Sequence, residues 1–174
     1  MNTLDELVAL EQKIAVAKER GERGTRNLWI AAAFFGLICF IAALWVFVDT
    51  LHATDTNLGR IRAVSLGAAV AMWIAYLIAG YWYIAFYPAD KAIILKGPWP
   101  LAHNFFMESK EHFVIMLLLL VTYLPVAAAG DLAANPGARK VVLWVSGLVV
   151  ALALFADSFG GIIAMGVKVA LLPK

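Results

Sequence analysis

The chain has 174 residues, 63% of them hydrophobic and only 15% charged, with a net charge of +2 and a mean hydropathy of +0.84. A soluble domain of this size cannot hide so much apolar surface in one core, because roughly a quarter of an ordinary chain is charged; lipid is the solvent that remains. The small net charge, spread between hydrophobic blocks, argues against a nucleic-acid partner.

Residues 1–26 are polar and charged. They read as a cytoplasmic amphipathic helix over residues 3–20, opened by the capping-box-like Thr3-Leu4-Asp5-Glu6. Leu4, Leu7, Leu10, Ile14 and Ala17 recur at spacings of three and four, which puts them on one stripe. Such a stripe suits headgroups, the protein's own cytoplasmic face, or a partner helix. The first apolar run is too long for a cleavable signal, and three more follow it.

A bilayer core takes about 20 mostly apolar residues in a helix. Leu28–Val48 is the first such run, closed by Asp49. Its Cys39 is the only cysteine, so no disulfide, CxxC or CxxCH haem attachment can form within the chain. In the middle of an apolar run it reads as a small buried hydrophobe. The second run is Val64–Phe86, closed by Tyr87 and Pro88. The third is Phe113–Ala129, and the fourth is Val141–Val167, interrupted by Asp157 and a few Ser and Gly. Trp29, Trp45, Trp82, Tyr83, Tyr87, Trp99 and Trp144 sit mostly near the run ends, where amphipathic rings meet headgroups. The expected fold is therefore an all-α integral membrane protein. Residues 1–26 precede a four-transmembrane-helix domain over 27–174, with helices near 28–48, 64–86, 101–129 and 141–169.

The connection from Pro88 to His112 is the most unusual stretch. Lys96-Gly97-Pro98-Trp99-Pro100 predicts a rigid turn with an aromatic anchor, and Pro100 suits the first position of a helix beginning near Leu101. Pro125 predicts a kink near the other end of that helix. The remaining two connections, His52–Arg60 and Gly130–Lys140, are short and rich in turn formers such as Asn135-Pro136-Gly137.

Orientation follows from the basic residues. One side would hold Lys13, Lys18, Arg20, Arg23, Arg26, Lys91, Lys96, Lys110, Lys168 and Lys174, and the other only Arg60, Arg62, Arg139 and Lys140. Ten against four predicts both termini on the cytoplasmic side, with a bacterial inner membrane as the expected location. The expected partners are the lipid bilayer and either further copies of the chain or a larger membrane complex.

If residues 101–113 are α-helical, His103, Asn104, Met107, Glu108 and Glu111 share one half of the helix, with Lys110 and His112 at its margins. Phe105, Phe106, Ser109 and Phe113 take the other half. Glu108 and His112 are i, i+4 neighbours able to grip one ion together. Asp157 lies eleven residues before Lys168, which is ~16 Å along a helix. A charge at that depth is costly unless paired, protonated or wetted, so its side chain is expected to face protein. Neighbouring Gly160, Gly161 and Ala164 would allow close helix approach. Together these residues outline a polar cluster at the cytoplasmic end. Glu108, Glu111, His112 and Asp157 are its candidate metal ligands. The bland alternative is that these groups merely neutralise one another.

Three functions are compatible with such a cluster. The leading one is a membrane-embedded subunit of an electron-transfer assembly, holding haem b or quinone. His103, His112, Trp99 and Tyr87 are the candidate cofactor-binding residues, since a quinone carbonyl needs a His, Tyr, Trp or acid donor. For haem, His103 and His112 are nine residues apart, ~13 Å along one helix, and could share an iron only if the helix breaks between them. The second is a metal-cation or proton translocator, since carboxylates and imidazole suit divalent metals and protons. The third is a structural or assembly protein. Whether the chain is an enzyme is not legible, and neither HExxH nor GxSxG is present.

Overall fold

The structure is a computed structural model. It describes the backbone of residues 3–172 and the side chains of residue 21 and residues 23–172. The apolar stripe expected on residues 4–17 lies outside the described side chains. Among the described residues the elements are all helical: α1 (Thr3–Leu51), α2 (Leu58–Ala85), α3 (Tyr87–Lys96), a π-helical turn (Ala102–Met107), α4 (Glu108–Ala128) and α5 (Pro136–Ala170).

Four segments are long and apolar enough to cross a membrane: Arg23–Leu51, Leu58–Ala85, Ala102–Ala128 and Pro136–Ala170. They form an up-down-up-down bundle in which α1 packs on α2 and α5, and α4 on the same two helices, leaving α1 and α4 on one diagonal. Short loops at the far end make α1 and α2, and α4 and α5, antiparallel neighbours.

α1 differs from expectation. The polar N-terminal stretch and the first span are one uninterrupted helix of 49 residues, ~73 Å long, against a hydrocarbon core of ~30 Å. Thr3–Leu51 contains no proline, and glycine inside a helix costs only about 1 kcal/mol. Gly21 and Gly24 therefore fail to break it.

The loops at the far end are tighter than expected, because both following helices start early. α2 begins at Leu58, where the Asn57 side chain donates to the Asp49 and His52 carbonyls at 3.3 and 3.0 Å and accepts from Thr54 N–H at 2.8 Å. It thereby serves carbonyls at the end of α1, where the Asp49 one also accepts from His52 N–H at 3.2 Å. Arg62 does the same for α4, donating to the carbonyls of Ala128 and Gly130 at 3.2 and 3.1 Å. α5 starts at Pro136, with the Asn135 side chain accepting from the Gly137 and Ala138 N–H groups.

The interior falls into three layers. Cys39, Ala43, Ala68, Met72, Leu117, Val121 and Val149 meet in the middle, with Cys39 1% exposed, as a small buried hydrophobe should be. Val46, Ile61, Leu124, Leu132 and Val142 close the far end. Tyr87, Ile94, Ala102, Met107 and Ile163 close the end on which α2 finishes and α4 begins, called here the near end. Hydroxyls within the spans return to their own helices, as Thr50 does to Val46, Thr122 to Leu118 and Ser146 to Val142, each at 2.6 Å. They satisfy backbone rather than line a path.

The near-end connection is more ordered than a loop. α2 breaks at Phe86, whose φ of −123° leaves the helical range, and Pro88 then sits in the first turn of α3. Asp90 in that first turn and Lys96 in the last complement the helix dipole. Two glycines permit this cap to lie against α5. A Cβ on Gly97 would stand 2.5 Å from Ala170 Cβ, and one on Gly166 would stand 2.6 Å from Ala102 Cβ.

Candidate functional site

Beyond the break at Phe86, Tyr87 of α3 meets the π-helical turn, and Trp82 and Tyr83 from the end of α2 pack against the same cluster. Tyr83 and Tyr87 stack with ring centroids 5.0 Å apart and planes inclined by 19°. Trp82 lies 6.0 Å from the Tyr87 ring and His103 5.8 Å from it. The Tyr87 hydroxyl and His103 Nδ1 share a hydrogen bond of 2.9 Å in the interior. Tyr87 and His103 are 2% and 4% exposed, so this polar contact is sealed from solvent.

The π-helical turn explains why His103 reaches that position. Its i→i+5 bonding holds one more residue per turn than an α-helix. The single polar half-face expected from α-helical spacing is therefore split. His103 and Met107 turn into the bundle, while Asn104, Glu108, Glu111 and His112 remain exposed. Such insertions occur often at functional sites.

Burial, aided by the neighbouring Tyr83, Asp90 and Glu111, pushes the Tyr87 hydroxyl far above its ordinary value. Tyr87 therefore stays a neutral hydroxyl at physiological pH. Where it donates to Nδ1, the imidazole carries its proton on Nε2. Burial also raises the Asp90 carboxyl. The Tyr83 hydroxyl lies beside the Glu111 carboxylate, with Glu108 also within electrostatic reach. The Trp82 indole N–H is buried and has no hydrogen-bond partner among the described residues. Buried donors are paired in the great majority of cases, and each exception calls for an explanation.

Of the four residues expected to bind a cofactor, Tyr87 and His103 come together and the other two do not join them. Trp99 is 48% exposed, on the segment between α3 and the π-helical turn. His112 is exposed on α4 and donates from Nδ1 to the Glu108 carbonyl at 2.7 Å. Trp82 and Tyr83 complete the cluster. The four-residue spacing from Tyr83 to Tyr87 could have suggested them, but aromatics near a span end read equally well as a headgroup belt.

The proposed metal ligands are dispersed over two helices. No group of three His, Cys, Asp or Glu side chains among the described residues is placed to hold an ion. Glu108, Glu111 and His112 are exposed on α4. Asp157 corrects an expectation: its side chain is exposed on the outer surface of α5 instead of turning into the bundle. The reason lies in helix register, since Ala156 on one side of it and Ile163 on the next turns take the inward positions. Asp157 acts electrostatically on Lys110 of α4, whose ammonium rests on Gly160, 2.9 Å from where a Cβ would stand. Phe106 of the π-helical turn and Phe113 of α4 lie on either side of that lysine in sequence and meet Phe159 with centroids 5.1 and 5.5 Å away.

The near end thus holds a sealed Tyr–His pair, a stacked tyrosine beside an acid, and an unpaired indole donor. Comparison of the chain with family models, with curated proteins and with solved structures finds no match to any of them.

Proposed function

We propose that this integral membrane protein is a subunit of an electron-transfer assembly, and that its near-end cluster binds the headgroup of a quinone. The observation that carries the reading is the unpaired Trp82 N–H beside the Tyr87–His103 pair. A quinone ring is flat, apolar on its faces and armed with two carbonyl acceptors. Indole and imidazole N–H groups suit the carbonyls, and the stacked tyrosines suit the face. Reduction of a quinone takes up two electrons, from a redox partner in the assembly, and two protons. Glu108 and Glu111, exposed at the same end and near Tyr83, supply titratable groups on the route from water. The basic-residue balance favours the cytoplasmic side for this end, with a bacterial inner membrane as the matching location.

Haem b fits this residue set poorly. His112 is exposed ~13 Å further along the helix and cannot join His103 on one iron, so a second axial ligand would have to come from elsewhere. A divalent-cation translocator lacks a three-donor group among the described residues.

The test is titration of detergent-purified protein with decylubiquinone, read by tryptophan fluorescence quenching, with quinone extraction from the same preparation. Saturable quenching that weakens roughly tenfold in Trp82→Phe and His103→Leu supports the reading, each change removing one donor. His112→Ala and Trp99→Leu should leave affinity within about twofold, since both lie outside the cluster. Absence of both quenching and extractable quinone sinks the proposal, and would turn attention to proton translocation or to a purely structural role.

A further inference from the structure

We propose that the outer face of α4 and α5 carrying Lys110 and Asp157 pairs with the same face of a second copy of this chain. This inference stands on the bundle and its charges and does not depend on the quinone reading.

Asp157 lies thirteen residues before Ala170, the last residue of α5, which is ~20 Å along the helix and well inside the span Pro136–Ala170. An exposed carboxylate at that depth meets hydrocarbon unless something covers it, and ionisable groups within spans almost always face protein or water. Lys110 is at the same level, since its ammonium rests on Gly160, one turn from Asp157. The two feel each other electrostatically, yet they do not close into an ion pair within the chain. One face therefore carries an exposed carboxylate with a half-buried ammonium beside it, the two not closed into an ion pair.

A face of that kind is self-complementary. A two-fold axis along the membrane normal keeps every residue at its own depth and places each copy's patch on its counterpart. Asp157 of each copy then meets Lys110 of the other, so that two intermolecular pairs form at once. The surroundings permit the approach. Ser158, Gly161 and Ala164 are exposed, and Gly161 has open space where a side chain would project. Small residues of this sort let helix backbones come close in lipid. Elsewhere the spans expose large apolar side chains, such as Leu77 on α2 and Trp144 on α5, which lipid covers without cost.

The experiment is single-molecule photobleaching of labelled full-length chain in liposomes across a range of protein-to-lipid ratios. Wild type should dimerise. Lys110→Asp, which makes the patch wholly negative, and Asp157→Lys, which makes it wholly positive, should each weaken self-association by roughly tenfold or more. Mixing the two variants should restore dimers, because the mixed pair recovers two Asp–Lys contacts between copies. That restoration also shows that both variants are folded. In a Cys39→Ser background, Gly161→Cys should form a disulfide dimer in oxidised membranes, whereas Leu77→Cys should not. Wild type that stays monomeric at every ratio overturns the proposal. So does a mixture that dimerises no better than either variant alone while Gly161→Cys and Leu77→Cys cross-link equally.

Discussion

The Tyr87 hydroxyl meets His103 Nδ1 at 2.9 Å, joining the first turn of α3 to the π-helical turn across sixteen residues of sequence. A single contact thereby fixes how the near-end cap folds over the bundle. Tyr87→Phe leaves a buried imidazole nitrogen without its partner, and the expected loss is about 1–3 kcal/mol. The Tyr87→Phe/His103→Phe double variant should lose less than the sum of the two single changes, because the orphaned group is gone. Unfolding of the purified protein by sodium dodecyl sulfate, followed by circular dichroism, measures all three. Strict additivity would show that the bond contributes nothing.

Asp90 gives the cap a pH dependence of defined sign. Burial raises its carboxyl above the ordinary value of 3.8, so folding favours the protonated form. The stability it contributes is complete below the unfolded value and is lost as pH rises through the higher folded one. Stability measured at pH 7 should therefore rise in Asp90→Asn relative to wild type, and the gap should narrow toward pH 4. A gap that widens on acidification would mean that the helix-dipole benefit of Asp90 in the first turn of α3 outweighs its burial.

Two glycines hold α5 against the cap by their lack of a side chain. Gly166→Ala would drive a Cβ to 2.6 Å from Ala102 Cβ, and Gly97→Ala would bring one to 2.5 Å from Ala170 Cβ. Each should cost about 1–3 kcal/mol through overpacking. Gly67→Ala in α2 meets nothing within 4 Å and should be neutral, or more stable by up to about 1 kcal/mol through helix propensity. Thermal scans of the three variants in one detergent would rank them, and equal melting temperatures would refute the close approach.

At the far end, Asp49 matters more than its partner. Arg60 reaches it through Nε at 2.7 Å and a terminal nitrogen at 3.0 Å, and Trp45 Nε1 donates to it at 3.1 Å. The Arg60 side chain is 53% exposed against 14% for Asp49. Arg60→Ala should cost no more than about 1 kcal/mol, as exposed ion pairs do. Asp49→Ala removes the acceptor of two exposed donors and should cost about 1–2 kcal/mol, the net worth of two ordinary hydrogen bonds. The same detergent unfolding experiment decides, and the reverse order would contradict the geometry.

Hydropathy and run length were sufficient to read the four spans, because a bilayer forces each crossing into an apolar helix of set minimum length. Cys39 as a buried small residue and a third helix beginning near Leu101 were legible on similar local grounds. The continuity of α1 through residues 20–28 was not, since polarity changes there while helical bonding does not. The site was legible only in part. Tyr87 and His103 stood out as polar groups near a span end, whereas Trp82 and Tyr83 looked like interfacial aromatics. Their convergence depends on the break at Phe86 and on the residue added by the π-helical turn, which shifts every face drawn at 100° per residue. The outward aspect of Asp157 likewise depends on which side of α5 meets α4 and α1. Composition and local spacing are properties of one strand of sequence. Which side chains share a space is decided by how helices pack, and here it was set by two local departures from regular helix and by glycines that allow their close approach.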